Sequence, residues 1–165
     1  MLAKSHNDIQ RIYDSIQAVK SLSDRIIRIG PINIIGLDGI LALLPFPAIS
    51  TGYSMIAGLI ILVQGLRARV TPFTWLVALV ILLIDCGITT VEDITKLIPI
   101  AGPFLNLIVG GGDALFQGHL YAAHIIQADI DKTLYVAGPR NAAEHQENLA
   151  EMRGLKGKKR IVYLG

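Results

Sequence analysis

Charged side chains are scarce through the middle of this chain of 165 residues. Charged residues make up 17% of it and apolar residues 52%, whereas soluble domains typically hold about 25% charged and about 45–50% apolar residues. A water-soluble domain needs polar groups along most of its elements to cover its surface. The shortage therefore favours a chain whose central part lies in lipid. Positions 29–129 hold nine charged residues, namely Asp38, Arg67, Arg69, Asp85, Glu92, Asp93, Lys96, Asp113 and Asp129.

Cysteine is almost absent as well. Cys86 is the one cysteine, which excludes an internal disulfide and any zinc site built from several cysteines. Its neighbour is Asp85 in an apolar segment, so a packed thiol is the favoured interpretation. The net charge of +2 is too small to indicate a nucleic-acid partner. The first residues lack the short apolar core of a secretory signal, so we expect internal segments to direct membrane insertion.

No motif of a known catalytic or cofactor site occurs in the sequence. A nucleophile elbow, a phosphate-binding loop with its lysine, a dinucleotide fingerprint and a zinc-binding helix motif are all missing. The glycine run Gly110–Asp113 favours close helix packing over anion binding. His119 and His124 are five positions apart, so they point to different helix faces and cannot chelate one metal together. We therefore expect no enzyme, no cofactor and no metal, with haem or chlorophyll ligation by a lone histidine as the minor alternative.

Two long apolar runs are the strongest positive signal. They predict straight transmembrane helices at residues 47–66 and 72–91, since about 20 apolar residues cross a bilayer. Trp75 lies in the first turns of the second helix, where an interfacial anchor belongs. Segments 32–45 and 94–112 are apolar but interrupted by proline and glycine, which indicates broken or re-entrant helices.

The first part of the chain has a different pattern. Apolar residues recur at helical spacing over positions 7–29, with charged residues of both signs between them, which predicts an amphipathic helix. That helix would lie in the headgroup plane or pack on a partner. The predicted fold class is therefore all-α, an integral membrane helix bundle with two straight spans, two broken or re-entrant helices and an amphipathic N-terminal helix.

The composition changes after residue 137. We predict a membrane helix-bundle domain over 1–137 and a polar, basic C-terminal tail over 138–165. The composition of the tail allows a short helix at 140–153, followed by a terminal strand that would need a partner edge or by a disordered end. Its basic residues indicate a solvated end or, as the alternative, attraction to anionic lipid headgroups. They are Lys156, Lys158, Lys159 and Arg160.

A stripe of small residues runs along a helix that the pattern predicts from 103 to 135. The four members are spaced four apart, as in helices whose backbones approach closely in a membrane. We expect this stripe to be a helix–helix contact. Its members are Gly110, Ala114, Gly118 and Ala122.

Several ionisable residues fall inside the predicted membrane region. A carboxylate at membrane depth costs at least about 2.5–3.5 kcal/mol, so it normally faces protein or water. Asp85, Glu92 and Lys96 also share one helix face. A structural role in capping or pairing is the favoured interpretation, and an ion or proton pathway or headgroup binding is the alternative. The candidate polar intramembrane residues are Asp38, Asp85, Glu92, Lys96 and Asp113.

Two proline-containing segments have similar sequences, and both contribute to a resemblance to a known family. Asp38–Pro45 aligns with Glu92–Pro99, each with an acidic residue seven positions before the proline. With Gly36-Leu37-Asp38 in the first segment and Gly102 after the second, the chain from about 22 to 106 resembles a bacterial membrane-protein family known as domain of unknown function 4112. The resemblance implies a membrane architecture and brings no activity with it.

The chain departs from that family's pattern in both motifs. The family's Gly-x-Gly-Asp after the first proline is Phe46-Pro47-Ala48-Ile49 here, and Pro103 and Asn106 stand where the second motif has aspartates. If those aspartates cap helices, Pro103 suits the same helix start. If they bind a cation, this chain lacks the site.

The expected function is that of a non-enzymatic accessory or scaffold subunit that packs against partner membrane proteins. The alternative is a small transporter or channel with intramembrane carboxylates. A wet cavity reaching Asp38 and Asp85 would favour transport, and dry packing would favour the scaffold. The expected partners are the lipid bilayer and partner membrane proteins or further copies of the chain, with no nucleic acid. The expected location is the bacterial inner membrane, crossed several times, with both termini in the cytoplasm.

Overall fold

The computed structural model describes residues 1–24, 27–29, 32–35, 49–96 and 118–165. These residues form five helices and two small sheets of two strands each. In chain order the elements are α1 (His6–Asp24), β1 (Ile27–Ile29), β2 (Ile32–Ile35), α2 (Ile49–Arg67), α3 (Pro72–Lys96), α4 (Gly118–Asp131), β3 (Thr133–Ala137), α5 (Ala142–Gly154) and β4 (Arg160–Leu164).

Helix α1 packs its apolar face inside the protein. At its start Ser5 Oγ accepts a hydrogen bond from the Asp8 amide, and the Asp8 carboxylate accepts one from the Ser5 amide. This reciprocal capping satisfies amide groups that the first helical turn leaves unpaired. Ile12 and Ile16 are fully buried in the contacts that α1 makes with α2 and α4. The amphipathic face predicted for a headgroup plane or a partner is thus covered by the chain's own helices.

Helices α2 and α3 form a tightly packed pair joined by a short turn. Arg69 in this turn has a φ of 53°, in the left-handed region that non-glycine residues adopt in sharp turns. The indole N–H of Trp75 donates to the carbonyl of Leu62 across the pair at 3.1 Å. A methyl group at Gly58 would lie 3.1 Å from the Leu82 side chain, so a glycine lets the two helices approach closely here.

Helix α4 lies against α1, α2 and α3 and completes the core. Ala122 and Ile126 are fully buried on its inner side. Gly65 of α2 faces Ile126 so closely that a methyl group there would lie 3.0 Å from that side chain. Small residues on α2 and α4 therefore set the spacing of these helices.

The C-terminal residues form a β–α–β unit. Strands β3 and β4 pair in parallel, in register from Thr133 with Arg160 to Ala137 with Leu164. Helix α5 connects them, and the Asn141 side chain caps its start by accepting from the Glu144 amide. The unit spans both sides of residue 137, where the composition indicates a boundary.

The prediction of an all-α membrane bundle is wrong in its secondary structure. The helix predicted to run to Tyr135 ends at Asp131 and is followed by β3. The helix predicted over 7–29 ends at Asp24, and Ile27–Ile29 pairs with Ile32–Ile35 in an antiparallel hairpin. Isoleucine, valine, threonine and tyrosine favour strands wherever a partner edge is available, and periodicity within one segment does not show that edge.

The prediction of membrane-spanning helices is also corrected. Within the described part of the chain, no helix is long and apolar enough to cross a membrane. The helices predicted at 47–66 and 72–91 do form, but their uninterrupted apolar stretches are only Met55–Val63 and Leu76–Ile84. A span needs about 20 consecutive residues that are predominantly apolar. The broken or re-entrant helices predicted at 32–45 and 94–112 fall mostly outside the described residues.

Candidate functional site

The side chain of Asp85 lies in the contact between α3 and α4 and is 2% exposed. Its Oδ1 accepts a hydrogen bond from the Gly118 amide at 2.8 Å, and its Oδ2 lies 3.3 Å from Nδ1 of His119. The first amides of a helix have no partner within that helix, and the helix dipole favours a negative charge beside them. Asp85 of α3 thus accepts from the amide at the first described residue of α4.

Further contacts of the histidine extend this cluster to α1 and α2. The Tyr53 ring meets the His119 ring edge-on, with centroids 6.1 Å apart and an interplanar angle of 85°. The Tyr53 hydroxyl is hydrogen-bonded to the Ser23 hydroxyl at 2.6 Å. The Asp85 cluster, defined here as Ser23, Tyr53, Asp85, Gly118 and His119, thus joins four helices through polar contacts.

Next to this cluster, Cys86 is held in its thiol form. Burial raises the pKa of the Cys86 thiol, and the neighbouring Asp85 carboxylate raises it further. A thiol with a raised pKa is a poor nucleophile because the thiolate is the reactive form. The sequence prediction of a packed thiol is consistent with this environment.

The Asp85 cluster places a buried carboxylate beside a buried imidazole. Among the residues that the structure describes, no group of three or more histidine, cysteine, aspartate or glutamate residues is arranged to hold a metal ion. His124, the second histidine considered for ligation, is exposed, whereas His119 is fully buried. The two point in different directions, as their spacing predicts.

The remaining candidate residues are placed as follows. Gly118 and Ala122 lie at the contacts of α4 with its neighbours, and a methyl group at Gly118 would lie 2.6 Å from Cβ of Asp85. Glu92 and Lys96 belong to α3, and their side chains lie outside the described residues. Asp38, Gly110, Ala114 and Asp113 lie outside them too. The four-residue stripe therefore stays a prediction.

The outer surfaces of α2 and α3 are apolar. From residue 52 to 67 every exposed side chain of α2 is apolar, and from 72 to 87 the exposed residues of α3 are apolar as well. On each helix the large ones recur every three or four residues and so form one stripe along its outer face. We call these two rows the apolar stripes. They consist of Met55, Ile56, Leu59, Val63 and Leu66 on α2, and Phe73, Leu76, Val80, Leu83 and Ile84 on α3.

A polar junction joins the α2–α3 turn to the C-terminal unit. Asp129 Oδ2 accepts from the Thr71 amide at 2.6 Å and lies 3.5 Å from a guanidinium nitrogen of Arg160. Arg69 donates to the Tyr163 carbonyl at 2.7 Å, and the Tyr135 hydroxyl donates to the Ala68 carbonyl at 2.9 Å. Sequence reasoning missed this junction, since its members are far apart in the chain and no local motif links them.

Basic side chains gather at the end of the sheet where β3 and β4 begin. The Lys158 ammonium donates to the carbonyls of Asp131 and Thr133 at 2.8 and 2.9 Å. The Lys159 amide donates to the Lys132 carbonyl at 2.8 Å. These contacts bring Lys132, which the sequence places at the end of α4, beside the basic tail. We call Lys132, Lys158 and Lys159 the basic cluster.

A groove between α3 and α4 reaches this cluster. Its volume is about 240 Å³, and Phe73, Val77, Ile125 and Lys132 are among the residues that line it. Phe73 is also the first member of the α3 stripe and is 77% exposed. The groove therefore connects an apolar stripe to a basic residue.

Comparison with known proteins gives no relative of this chain. No protein-family model matches it, and neither does any curated protein or solved structure. The resemblance to domain of unknown function 4112 stays a hypothesis that rests on the proline-containing motifs.

Proposed function

We propose that this chain is a non-enzymatic accessory or scaffold protein that associates with a lipid bilayer through its apolar stripes and packs against partner proteins there. The observation that carries the proposal is the composition of the outer faces of α2 and α3. Over residues 52–67 and 72–87, exposed positions are occupied by apolar residues alone. Association of this kind needs contact between the stripes and lipid, and it does not require a helix that crosses.

The size of the exposed surface indicates that something covers it. Ten large apolar side chains of α2 and α3 are exposed, and full burial of one such side chain stabilises by about 1.5–3 kcal/mol. Even half of that for each would be comparable to the whole stability of a typical domain, about 5–15 kcal/mol. Monomers in water rarely leave contiguous apolar patches larger than a few hundred Å² exposed.

The chemistry of the stripes favours lipid over a protein as the main occupant. Protein interfaces are enriched in tyrosine, tryptophan, phenylalanine, methionine and arginine and are surrounded by polar groups that fix orientation. The stripes contain two residues of these types, Phe73 and Met55, and are otherwise aliphatic. Hydrocarbon tails make no directional contacts, so such a surface suits them. Partner proteins would pack beside the stripes.

The surroundings of Asp85 support a scaffold over a transporter. Transport through Asp85 would need water or a solute beside its carboxylate. Instead the side chain is 2% exposed, and its two oxygens contact Gly118 and His119. A carboxylate engaged in these contacts serves the packing of α3 against α4.

Flotation with neutral phosphatidylcholine vesicles tests the proposal. The full chain should float with the vesicles, and a Leu59→Glu/Leu83→Glu variant should partition at least about a hundredfold more weakly, because two charges would have to enter apolar surroundings. Leu155→Glu is the matched control, since Leu155 is exposed at 42% but lies outside the stripes. Absence of flotation by the unchanged chain, or equal flotation of the double variant, would contradict the proposal.

A further inference from the structure

We propose that the basic cluster binds the phosphate of an anionic phospholipid headgroup while the groove between α3 and α4 receives apolar atoms of the same lipid. The inference rests on the proposed function, because it assigns the lipid class that the stripes and their surroundings recognise. It concerns Lys132, which only the fold brings beside Lys158 and Lys159 of the tail.

The fold fixes these lysines at one edge of the molecule. The Lys158 ammonium is held by two carbonyls at the junction of α4 and β3, at 2.8 and 2.9 Å. The hydrogen bond from the Lys159 amide to the Lys132 carbonyl holds the start of β4 beside the end of α4. The side chains of Lys132 and Lys159 are exposed. A basic segment that is usually solvated as a free tail is here anchored beside a helix end.

The balance of charge around the cluster favours an anion. The carboxylate of Asp129 is already engaged by the Thr71 amide and Arg160. Lys156 is a further exposed basic residue close by in the sequence, and Asp131, the neighbour of Lys132, carries an exposed carboxylate. The exposed basic residues Lys132, Lys156 and Lys159 outnumber it. Each basic residue near a membrane surface strengthens attraction to anionic lipid about fivefold.

The groove places apolar side chains next to the basic cluster. Lys132 lines it together with Phe73, Val77 and Ile125, so a positive charge and an apolar surface face the same space. Asp129 lines it too, with its carboxylate engaged by the Thr71 amide and Arg160. A phospholipid carries its phosphate next to its hydrocarbon, and this arrangement matches that order. Because Phe73 also begins the α3 stripe, a lipid in the groove would be continuous with the lipid that covers the stripe.

Vesicle binding with and without anionic lipid tests the inference. The full chain is titrated with vesicles of phosphatidylcholine alone and of phosphatidylcholine mixed with phosphatidylglycerol. We expect tighter binding to the mixed vesicles, and a preference that falls about fivefold in Lys132→Gln and further in Lys132→Gln/Lys159→Gln. Added salt should reduce the preference, since exposed charges are screened over about 8–10 Å at moderate ionic strength.

Arg140→Gln is the matched control because it removes the same charge elsewhere. Arg140 is 89% exposed and follows the far end of β3, on the order of 16 Å away for five residues of strand. It should leave the preference unchanged. An equal loss in this control, or no loss in the lysine variants, would overturn the inference.

The two proposals fail in different ways. Equal binding to both kinds of vesicle would overturn the headgroup site and leave bilayer association in place. Absence of binding to either kind would overturn the proposed function itself. Circular dichroism of each variant verifies that it folds, which is expected for substitutions of exposed lysines.

Discussion

The carboxylate of Asp85 accepts a hydrogen bond from the amide of Gly118 at 2.8 Å, across 33 positions of sequence. The contact is possible because Gly118 has no side chain where the two helices meet. A methyl group there would lie 2.6 and 2.8 Å from Cβ and Cγ of Asp85. This residue pair thus sets how closely α4 approaches α3.

Substitution of Gly118 should separate these helices. Gly118→Ala places a carbon inside the contact distance of Asp85, and we expect a loss of about 1–3 kcal/mol in the free energy of unfolding, as for overpacked cores. Gly87→Ala is the control, because Gly87 in α3 has nothing within 4 Å of an added methyl group. It should stabilise by roughly 0.5–1 kcal/mol, since alanine is the better helix former. Thermal unfolding of both in the same medium measures the difference, and equal stabilisation by the two would contradict the close contact.

Two substitutions of Asp85 distinguish the hydrogen bond that its side chain accepts from the charge that it carries. Asp85→Asn keeps an oxygen that can accept from the Gly118 amide, so we expect a smaller loss than for Asp85→Ala. The alanine variant leaves a buried amide without its acceptor, at about 1–3 kcal/mol. Urea titration ranks the two variants. An ion or proton flux in proteoliposomes that Asp85→Asn abolishes with folding intact would instead support the transport hypothesis.

The phenol of Tyr135 should make stability depend on alkaline pH. Burial raises the pKa of Tyr135 from 10.0 to about 12, so the folded chain keeps a proton that the unfolded chain loses. The free energy of unfolding should therefore be unaffected by this group below pH 10 and should fall between pH 10 and about 12. Tyr135→Phe removes this component, and it should cost about 0.5–1.5 kcal/mol at neutral pH through the lost hydrogen bond to Ala68.

The difference between the two stability–pH curves isolates Tyr135 from the other tyrosines and lysines that titrate in the same range. Parallel curves for the unchanged chain and Tyr135→Phe would show that this phenol does not carry the dependence.

The thiol of Cys86 should react slowly with iodoacetamide. Its raised pKa, caused first by burial and then by Asp85, lowers the thiolate fraction at neutral pH. We expect slower alkylation of the folded chain than of the denatured chain. Asp85→Asn should accelerate it because the negative charge is removed, but only modestly, because the burial of the thiol remains. Mass spectrometry over time gives both rates. Equal rates in the folded and denatured chain would refute the buried environment.

The sequence alone determined where the long helices of the described region lie. Apolar runs predict helices at 47–66 and 72–91, and α2 and α3 occupy Ile49–Arg67 and Pro72–Lys96. A helix can be predicted from local features, namely the spacing of its apolar residues and the residue types at its two ends.

Only the tertiary structure decided what these elements contact. Thr133–Ala137 continues a helical pattern and becomes a strand because β4, more than 20 positions later, offers an edge. The fold also brings Lys132 beside the basic tail and places Asp129 in contact with Thr71 and Arg160, all of them segments that are distant in the sequence. Asp85 is identifiable in the sequence as a costly charge in an apolar segment, but its partner at Gly118 is not. Strand pairing and the hydrogen bonding of buried polar groups depend on contacts between distant segments. The spacing of apolar residues within one segment does not predict such contacts.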